Sequence, residues 1–381
     1  MRGWILVFYS LVAVTAAGLL YLTSRFKKFI PEKIIQRIGK FKAWLLASLP
    51  LVPVVLYAYF DRINAAIIVV NVFFIWLVSD AAAFIFRKLF IKKKTPYKEN
   101  YKENHIYVSG ICALVFSVFY LSAGYYFAHR VKQTDYIVKT SKDTGFDSFR
   151  IALIADSHIG STFDGKGFSI HLKKIQESSP DILVIAGDFV DDDSCRTDLE
   201  TACRALREFN APYGIYFVYG NHDKGYFRNR DFSAEDLRNC LLKNGVRILE
   251  DETVCIGDEE KILLTGRKDY SENFKGLSRA SVSELTAELD KSKFMIVLDH
   301  QPHEYKDEAD AGVDLVLSGH THGGQMFPGA LFSNLSGAND SAYGLSKTGD
   351  TAFIVTSGIS DWAINFKTGT SSEFCIIDVK R

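Results

Sequence analysis

Four long stretches in the first third of the chain are almost free of charged side chains: residues 4–22, 43–60, 63–86 and 106–128. A membrane-spanning helix needs roughly 20 apolar residues to cover about 30 Å of hydrocarbon, and buried helices of soluble domains seldom run this long without charge. We therefore predict four transmembrane helices. Asp80 is the one acid inside them, and Arg87 and Lys88 follow it closely. We expect Asp80 near the membrane–water interface rather than in an ion pathway.

Charge divides the chain into two parts. Residues 1–132 carry 18 Lys and Arg against 5 Asp and Glu, whereas residues 133–381 carry 27 against 40. We predict a membrane domain over residues 1–130, a linker and first strand over 131–149, and a soluble domain over 150–381. The larger part is acidic and would repel a phosphate backbone, so the composition disfavours a nucleic-acid partner and leaves membrane lipid as the expected surroundings of the first part.

The loops between the predicted spans set an orientation. Residues 24–42 and 87–105 carry seven cations each, which are Arg25, Lys27, Lys28, Lys33, Arg37, Lys40 and Lys42 in the first loop and Arg87, Lys88, Lys92, Lys93, Lys94, Lys98 and Lys102 in the second. Cytoplasmic loops are enriched in Lys and Arg. The sequence therefore predicts a multi-pass protein of the cell membrane whose termini and soluble domain are extracytoplasmic.

Short apolar runs alternate with amphipathic stretches after residue 136. Runs rich in Ile, Val, Leu and Phe predict buried strands at residues 151–155, 182–186, 215–219, 261–265, 294–298, 313–317, 352–356 and 374–379. The intervening amphipathic stretches predict helices at residues 167–177, 197–209, 234–243 and 281–289. This alternation indicates a layered α/β domain whose helices cover a largely buried sheet.

Five of the predicted strands are followed directly by residues that bind metals: Asp156 and His158, Asp188 and Asp191, Asn221 and His222, His300, and His320 and His322. Ligands of α/β sheets collect outside the carboxyl ends of strands. Each motif is weak alone, but five in series favour a metal centre. Mixed imidazole and carboxylate ligands suit Mn, Zn, Fe or Co better than Ca or Mg alone.

The order of these motifs, D-x-H, G-D-x-x-D, G-N-H-D, a lone His and G-H-x-H, resembles that of the calcineurin-like metallophosphoesterase superfamily. The segments APYGIYFVYGNHD, LDHQPH and SGHTHGGQMFP are similar to its membrane-anchored branch, whose members carry N-terminal transmembrane helices. The resemblance implies an α/β fold, namely a four-layer αββα sandwich that holds two divalent metal ions. We expect this sandwich to follow a four-helix transmembrane region.

The resemblance also implies residue roles. The first metal would be held by Asp156, His158, Asp188 and His322. The second would be held by Asp188, Asn221, His300 and His320, with Asp188 bridging the two ions. His222 would act near the leaving group and would be oriented by Asp191. One departure concerns the Gly-rich segment near the C-terminus, which usually ends in Arg-Phe-Gly in this branch but reads Asn365-Phe366-Lys367 here. The Arg that would contact the substrate anion is therefore missing.

These observations predict a membrane-anchored, binuclear-metal phosphoesterase. Its expected substrate is a lipid or envelope-associated phosphoester, cleaved by attack of a metal-bridging hydroxide. A phosphomonoesterase or nucleotide hydrolase is an alternative within this class. A non-catalytic metal-binding sensor and a transporter with an accessory domain are alternatives from other classes. The complete ligand set disfavours the sensor, and the scarcity of polar residues in the spans disfavours the transporter.

The cysteines leave two interpretations open. Five of the six lie in the predicted soluble domain, at Cys195, Cys203, Cys240, Cys255 and Cys375. An oxidising exterior permits disulfides, and the short separation of Cys195 and Cys203 makes them a pair to test. Five ordinary buried thiols are equally compatible with the sequence. None of the cysteines has the spacing of metal ligands.

Overall fold

The computed structural model describes residues 2–90, 107–225, 230–276 and 278–381, without the side chains of residues 2–7 and 275. It divides into two compact units, Met1–Ala123 and Gly124–Arg381. Five cations of the second predicted loop lie outside the described residues, namely Lys92, Lys93, Lys94, Lys98 and Lys102.

The first unit is helical. Its helices are Arg2–Phe26, Glu32–Ile38, Lys40–Ser48, Val52–Tyr57 and Arg62–Phe90, and it includes most of Val108–His129. Within the described residues, three helical stretches are long and apolar enough to cross a membrane: Lys40–Tyr57, Arg62–Phe90 and Val108–His129. Four such helices are predicted from the sequence. The helix Arg2–Phe26 covers the first predicted span but is not among the three.

Asp80, in the helix Arg62–Phe90, is held by side chains from two other segments of this unit, the helix Arg2–Phe26 and the start of Val108–His129. Its carboxylate accepts hydrogen bonds from Tyr107 at 2.8 Å, Ser109 at 2.9 Å and Tyr21 at 3.1 Å. Arg25 Nε lies 3.0 Å from the same carboxylate. A charge within an apolar helix bundle is tolerated when it is paired and hydrogen-bonded, and these contacts meet that requirement. Asp80 therefore ties the helices of the first unit together.

The second unit contains two six-stranded sheets. Its strands are β1 Lys132–Lys139, β2 Ser148–Ile154, β3 Ile182–Ala186, β4 Ile215–Val218, β5 Val246–Ile248, β6 Glu252–Ile256, β7 Ile262–Gly266, β8 Phe294–Leu298, β9 Leu315–Ser318, β10 Gly344–Thr348, β11 Thr351–Val355 and β12 Glu373–Lys380. One sheet has the order β1-β12-β2-β3-β4-β5, and the other β10-β11-β9-β8-β7-β6. All eight strands predicted from apolar runs are present, and β1 lies within residues 131–149, where the first strand is predicted. The sequence does not predict β5, β6 or β10, because these short strands lack a continuous apolar run.

Three apolar cores separate four layers. Side chains alternate between the two faces of a strand, so Ile151 and Leu153 of β2 pack between the sheets, whereas Ala152 and Ile154 pack beneath the outer helices. The helices Gly165–Gln176, Arg196–Glu208 and Ala234–Lys243 cover the first sheet, and Val282–Thr286 and Tyr305–Asp310 cover the second. The predicted four-layer αββα sandwich is confirmed.

The strand order places the predicted ligands at neighbouring positions. β2, β3 and β4 are adjacent and parallel in the first sheet, and β8 and β9 are adjacent and parallel in the second. The carboxyl ends of parallel neighbours lie at the same edge of a sheet. Five loops that carry the predicted ligands therefore leave from two sheet edges.

A buried ion network supports the strand end that precedes His300. Arg267 is 1% exposed, and its guanidinium lies 3.0 Å from Asp299 and 2.7 Å from Glu304. Arg279 also pairs with Asp299. Glu308 lies 3.4 Å from Arg267, and burial, followed by the nearby Asp299, raises the pKa of its carboxyl well above the usual value. Removing one cation would leave several carboxylates buried without full compensation.

We expect Arg267→Met to destabilise the second unit by about 3–5 kcal/mol, because it breaks a buried ion network without removing the buried acids. The matched variant Arg247→Met breaks an exposed pair with Glu252 and should cost less than about 1 kcal/mol. Thermal unfolding of the detergent-solubilised chain measures the difference. Equal shifts in melting temperature for the two variants would contradict this account of the network.

Candidate metal centre

Two groups of side chains at the strand ends could each hold a metal ion. One group is Asp156, His158 and His322, and the other is Asp188, His300 and His320. Within each group, one ligand atom from every residue lies within 4.8 Å of the others. Asn221 joins the second group, since its Oδ1 lies 3.2 Å from His300 Nε2. The structure therefore brings together all seven residues that the sequence predicts as metal ligands.

Asp188 lies between the two groups. Its Oδ2 is 3.2 Å from Nε2 of His300 and 3.7 Å from Nε2 of His158, so one carboxylate oxygen faces an imidazole from each group. Its Oδ1 accepts the backbone N–H of His222 at 2.8 Å. Asp188 is 1% exposed. This position is the one that a carboxylate shared by two ions requires.

Two buried imidazole nitrogens fit metal ligation. Among the described residues, Nε2 of His158 and Nδ1 of His322 are buried without a hydrogen-bond partner. A buried polar atom without a partner is costly, and an imidazole nitrogen is a common ligand of divalent transition metals. His300 Nδ1 lies 2.7 Å from the carbonyl oxygen of Ala186, which directs its Nε2 towards Asp188. The donor set and its orientation therefore fit metal ions.

The pKa values show a site that favours positive charge. Burial alone would raise the pKa of Asp188, but His300 and His158 hold it well below the usual value. Burial opposes protonation of His300, yet the carboxylates of Asp188 and Asp156 raise its pKa well above the usual value. Burial lowers the pKa of His320 to about 3. The charge of Asp188 is thus compensated by a proton on His300, and a divalent cation would displace this proton, because imidazole binds metals in its neutral form.

The backbone around the ligands is strained. Five ligand residues have positive φ angles, namely Asp156 at 53°, His158 at 34°, Asp188 at 51°, His320 at 71° and His322 at 48°. Residues other than glycine seldom adopt this conformation, and it concentrates at functional sites. Gly220 lets its backbone lie against the carboxylate of Asp188, because a Cβ atom at this position would lie 2.2 Å from Asp188 Oδ1. The turns therefore position the ligands at a cost in conformational free energy.

Asp223 has a structural role that sequence reasoning missed. Its buried carboxylate accepts backbone N–H groups from Gly220 at 2.7 Å, Phe189 at 2.8 Å and Asp188 at 2.9 Å. Burial, followed by the nearby Asp188, raises the pKa of Asp223 to about 7, against the effect of these N–H donors. Asp223 thus fixes the loop after β3 to the loop after β4. The sequence signal that could have indicated this role is the final acid of the G-N-H-D motif.

Asp191 contacts a predicted metal ligand. Its Oδ2 lies 3.2 Å from Nδ1 of His158, and so it orients the His158 ring. The turn determines this direction, because the Asp191 N–H donates to Ser194 Oγ and Asp191 Oδ1 accepts the N–H of Asp193. The role of Asp191 in orienting His222 stays a prediction beside this contact with His158.

His222 lies beside the first ligand group. Its ring centroid is 5.1 Å from that of His158 and 4.9 Å from that of Trp362. Burial lowers the pKa of His222 below the usual value. The indole of Trp362 is 40% exposed. His222 and Trp362 therefore stand together beside the metal ligands, and Trp362 reaches solvent.

Lys367, the last residue of the segment that departs from Arg-Phe-Gly, is committed to internal contacts. Its ammonium group lies 3.0 Å from Asp361 and donates hydrogen bonds to the carbonyl of Ser357 at 2.7 Å and that of Ser360 at 3.1 Å. The side chain is fully buried. Lys367 therefore holds the loop that carries Trp362 and does not replace an arginine facing a substrate.

All six cysteines are free thiols. Cys195 and Cys203 lie eight residues apart, at the start and within the helix Arg196–Glu208. A helix rises about 1.5 Å per residue, which separates these Cα atoms by about 12 Å, too far for a disulfide. The structure therefore contradicts the Cys195–Cys203 pairing.

Comparison with known proteins agrees with this geometry. The profile of the family described as calcineurin-like phosphoesterase matches residues 149–324. An uncharacterized metallophosphoesterase of Aquifex aeolicus is 34% identical over 194 residues, which cover 50% of this chain and 70% of that relative. The chain belongs to the calcineurin-like phosphoesterase family. It is a metal-dependent phosphoesterase, and this finding favours an enzyme over a non-catalytic sensor.

Further members of the calcineurin-like family extend the similarity. The uncharacterized metallophosphoesterase YkuE of Bacillus subtilis is 28% identical over 271 residues, which cover 68% of this chain and 88% of that protein. A transmembrane protein with metallophosphoesterase domain from Bos taurus is 29% identical over 251 residues, and the match covers 60% of this chain and about half (52%) of the bovine protein. Together with the three apolar helices, this relationship indicates a membrane protein.

Asp188→Asn should reduce bound metal and abolish turnover together, because the amide removes the charge that both ligand groups face. His320→Ala and His322→Ala should each weaken one site and leave the other. Elemental analysis of the purified chain measures the metal content. The control His171→Ala alters a histidine of the helix Gly165–Gln176, outside both groups. Unchanged metal content in Asp188→Asn would contradict the role of Asp188 as a ligand shared by both ions.

Asp191→Asn should weaken metal binding about 10–100-fold, because Asp191 orients His158 and such outer partners typically contribute that much. Titration of the metal-depleted protein measures this affinity. Unchanged affinity, together with a selective loss of activity on esters with poor leaving groups, would contradict this role and favour the predicted pairing of Asp191 with His222.

Proposed function

We propose that this membrane-anchored phosphoesterase uses two metal ions to cleave phosphoester bonds in a lipid or cell-envelope substrate. The observation that carries the proposal is the meeting of two ligand groups at Asp188, which faces an imidazole from each. Phosphate esters are anions, so a nucleophile needs positive charge to approach them. Two closely spaced metal ions satisfy this need and form a site for in-line displacement.

The ligands divide between the two ions by their positions. Asp156, His158 and His322 would hold the first, His300, His320 and Asn221 would hold the second, and Asp188 would be shared. When bound, Mn, Zn, Fe or Co would neutralise the charge of the phosphoryl oxygens and would lower the pKa of a water molecule, which supplies a nucleophile at neutral pH. The chain itself orients the ligands. Asp191 contacts the ring of His158, and the carbonyl of Ala186 contacts the ring of His300. The carboxylate of Asp223 holds together the loops after β3 and β4.

We assign His222 as the proton donor to the leaving group. Its ring lies against His158 and Trp362, and its backbone N–H is fixed by Asp188 Oδ1. An alkoxide leaving group is strongly basic and needs a proton in the transition state, for which a positioned imidazole contributes typically about 10²–10⁴ in rate. Burial lowers the pKa of His222 and favours the neutral ring, so the imidazole must take up a proton before it acts as the acid.

His222→Ala should keep both metals and lose turnover by about 10²–10⁴ on alkyl esters, but much less on activated aryl esters whose leaving groups need no proton. Steady-state rates on a series of esters with graded leaving groups, combined with elemental analysis, measure both quantities. An equal loss on all esters, or a loss of metal, would contradict the assignment.

The proposal places the second unit outside the cytoplasm. The support is the seven-cation loop over residues 24–42 together with Arg87 and Lys88 at the end of the helix Arg62–Phe90. Protease added to intact cells should therefore digest residues 133–381, while a cytoplasmic marker in the same cells stays protected. Protection of those residues until the membrane is lysed would overturn this orientation.

A further inference from the structure

An exposed apolar surface follows the second histidine of the G-H-x-H motif. The helix Gly329–Ser336 carries Leu331, Phe332 and Leu335, whose side chains are 53%, 65% and 74% exposed. Leu335 follows Leu331 by four residues and Phe332 by three, so it shares a face with both, because residues three and four apart are neighbours on a helix. We call these three residues the apolar face. Exposed apolar groups of this kind mark interaction sites in soluble units.

The sequence around this face suits a lipid surface. Residues 323–339 contain no Asp, Glu, Lys or Arg. A charged side chain near hydrocarbon is costly, whereas uncharged polar groups such as Ser333 and Asn334 are tolerated at the interface. The face can therefore enter the headgroup region without desolvating a charge. A protein partner would gain no electrostatic specificity from this segment.

The end of a membrane span lies next to the same segment. Residues 124–129 are the last of the span Val108–His129 and belong to the second unit. The Gly124 carbonyl accepts the N–H of Lys367 at 2.9 Å, and the carbonyls of Phe127 and Ala128 accept hydrogen bonds from Ser372 at 3.0 and 2.6 Å. A span ends at the membrane–water interface. The segment 367–372 therefore lies at that level.

The segment 367–372 in turn contacts the chain that leads into the apolar face. The N–H of Thr368 donates to the carbonyl of Gln325 at 3.1 Å, and the N–H of Phe327 donates to Thr368 Oγ1 at 2.9 Å. Tyr125 and Tyr126 are half-exposed near the end of the span, where amphipathic aromatic rings favour the interface. The helix that carries the apolar face therefore begins two residues after Phe327, which contacts this segment.

The site is connected to the same segment. Gln325 follows His322 by three residues, and its side-chain amide donates to Asp361 at 3.1 Å, beside Trp362. Trp362 contacts His222, the assigned proton donor. One stretch of chain thus joins a metal ligand, the proton donor and the apolar face.

We infer that the apolar face docks on the bilayer in which the chain is anchored and admits a lipid phosphoester to the metal centre from the membrane surface. The inference rests on the proposed function for its substrate, but the docking is independent of catalysis. The bilayer is the occupant because the chain that leads into the face is hydrogen-bonded to the segment that holds the end of the span. The acyl chains of the lipid would stay in the membrane while the phosphate group of the same lipid reaches the site.

Photocrosslinking of the full-length protein tests the docking directly. The photoreactive residue p-benzoylphenylalanine replaces Leu335 in one variant and Leu242 in a matched control, which is 46% exposed near the end of the helix Ala234–Lys243. Both proteins are reconstituted in vesicles of phosphatidylethanolamine and phosphatidylglycerol. Mass spectrometry should find at least about tenfold more lipid adduct at position 335, because only that side chain reaches hydrocarbon. Equal adduct yields, or adducts only with protein, would overturn the inference.

Kinetics separate this inference from the proposed function. Leu335→Asp should lower kcat/KM about tenfold or more on a fluorogenic phosphatidyl diester embedded in vesicles, and should leave hydrolysis of soluble bis(p-nitrophenyl) phosphate unchanged. Leu242→Asp should change neither. Equal losses on both substrates, or no loss on the vesicle substrate, would count against lipid entry at this face. If the unaltered chain hydrolyses neither ester, the proposed function fails, and the crosslinking yields still decide the docking.

Discussion

The carboxylate of Asp188 is buried between imidazoles of two ligand groups, and the rest of the site depends on how this charge is compensated. A buried carboxylate without compensation would be protonated or would destabilise the fold. His300 and His158 lower its pKa, and the backbone N–H of His222 binds its other oxygen. The loop after β3 is held by Asp223, and the loop after β8 follows the ion network around Arg267. These supports keep the ligands within reach of a shared cation.

The αββα architecture explains why such a site forms where it does. Parallel neighbours in each sheet end at one edge, so short sequence motifs after five strands meet without any long insertion. The three apolar cores fix the sheets against each other, and the ligand loops can then adopt strained conformations. The packed layers therefore stabilise the fold, and the strained turns position the side chains of the site.

Much of this could be predicted from the sequence because its signals are local. Apolar runs of five residues predicted the central strands, and the residues directly after them predicted a metal centre. The resemblance to the calcineurin-like family implied which seven of these residues are ligands. The partner of Asp191 could not be predicted in this way, since the direction of a side chain depends on the turn, here on Ser194 and Asp193. The role of Asp223 and the positive φ angles are likewise properties of the folded backbone. Edge strands such as β10 lacked the apolar pattern because they are only partly buried.

The membrane part adds a constraint that the soluble layers do not have. The end of the span Val108–His129 is hydrogen-bonded to the segment 367–372, and this segment is joined to the loop after His322. Lys367 illustrates the consequence: its N–H binds the span, while its ammonium group holds the loop of Trp362. Anchoring and site geometry therefore share residues in the second unit.

The most direct test of the central claim is the metal content of the full-length enzyme, measured together with its activity on a phosphodiester. The purified chain is depleted with a chelator and titrated with Mn, Zn, Fe or Co, and the bound metal per chain is compared with the hydrolysis rate. Two shared sites predict that activity is lost on depletion and recovers only as the second equivalent binds. Full activity with one equivalent, or after complete depletion, would contradict the two-metal account.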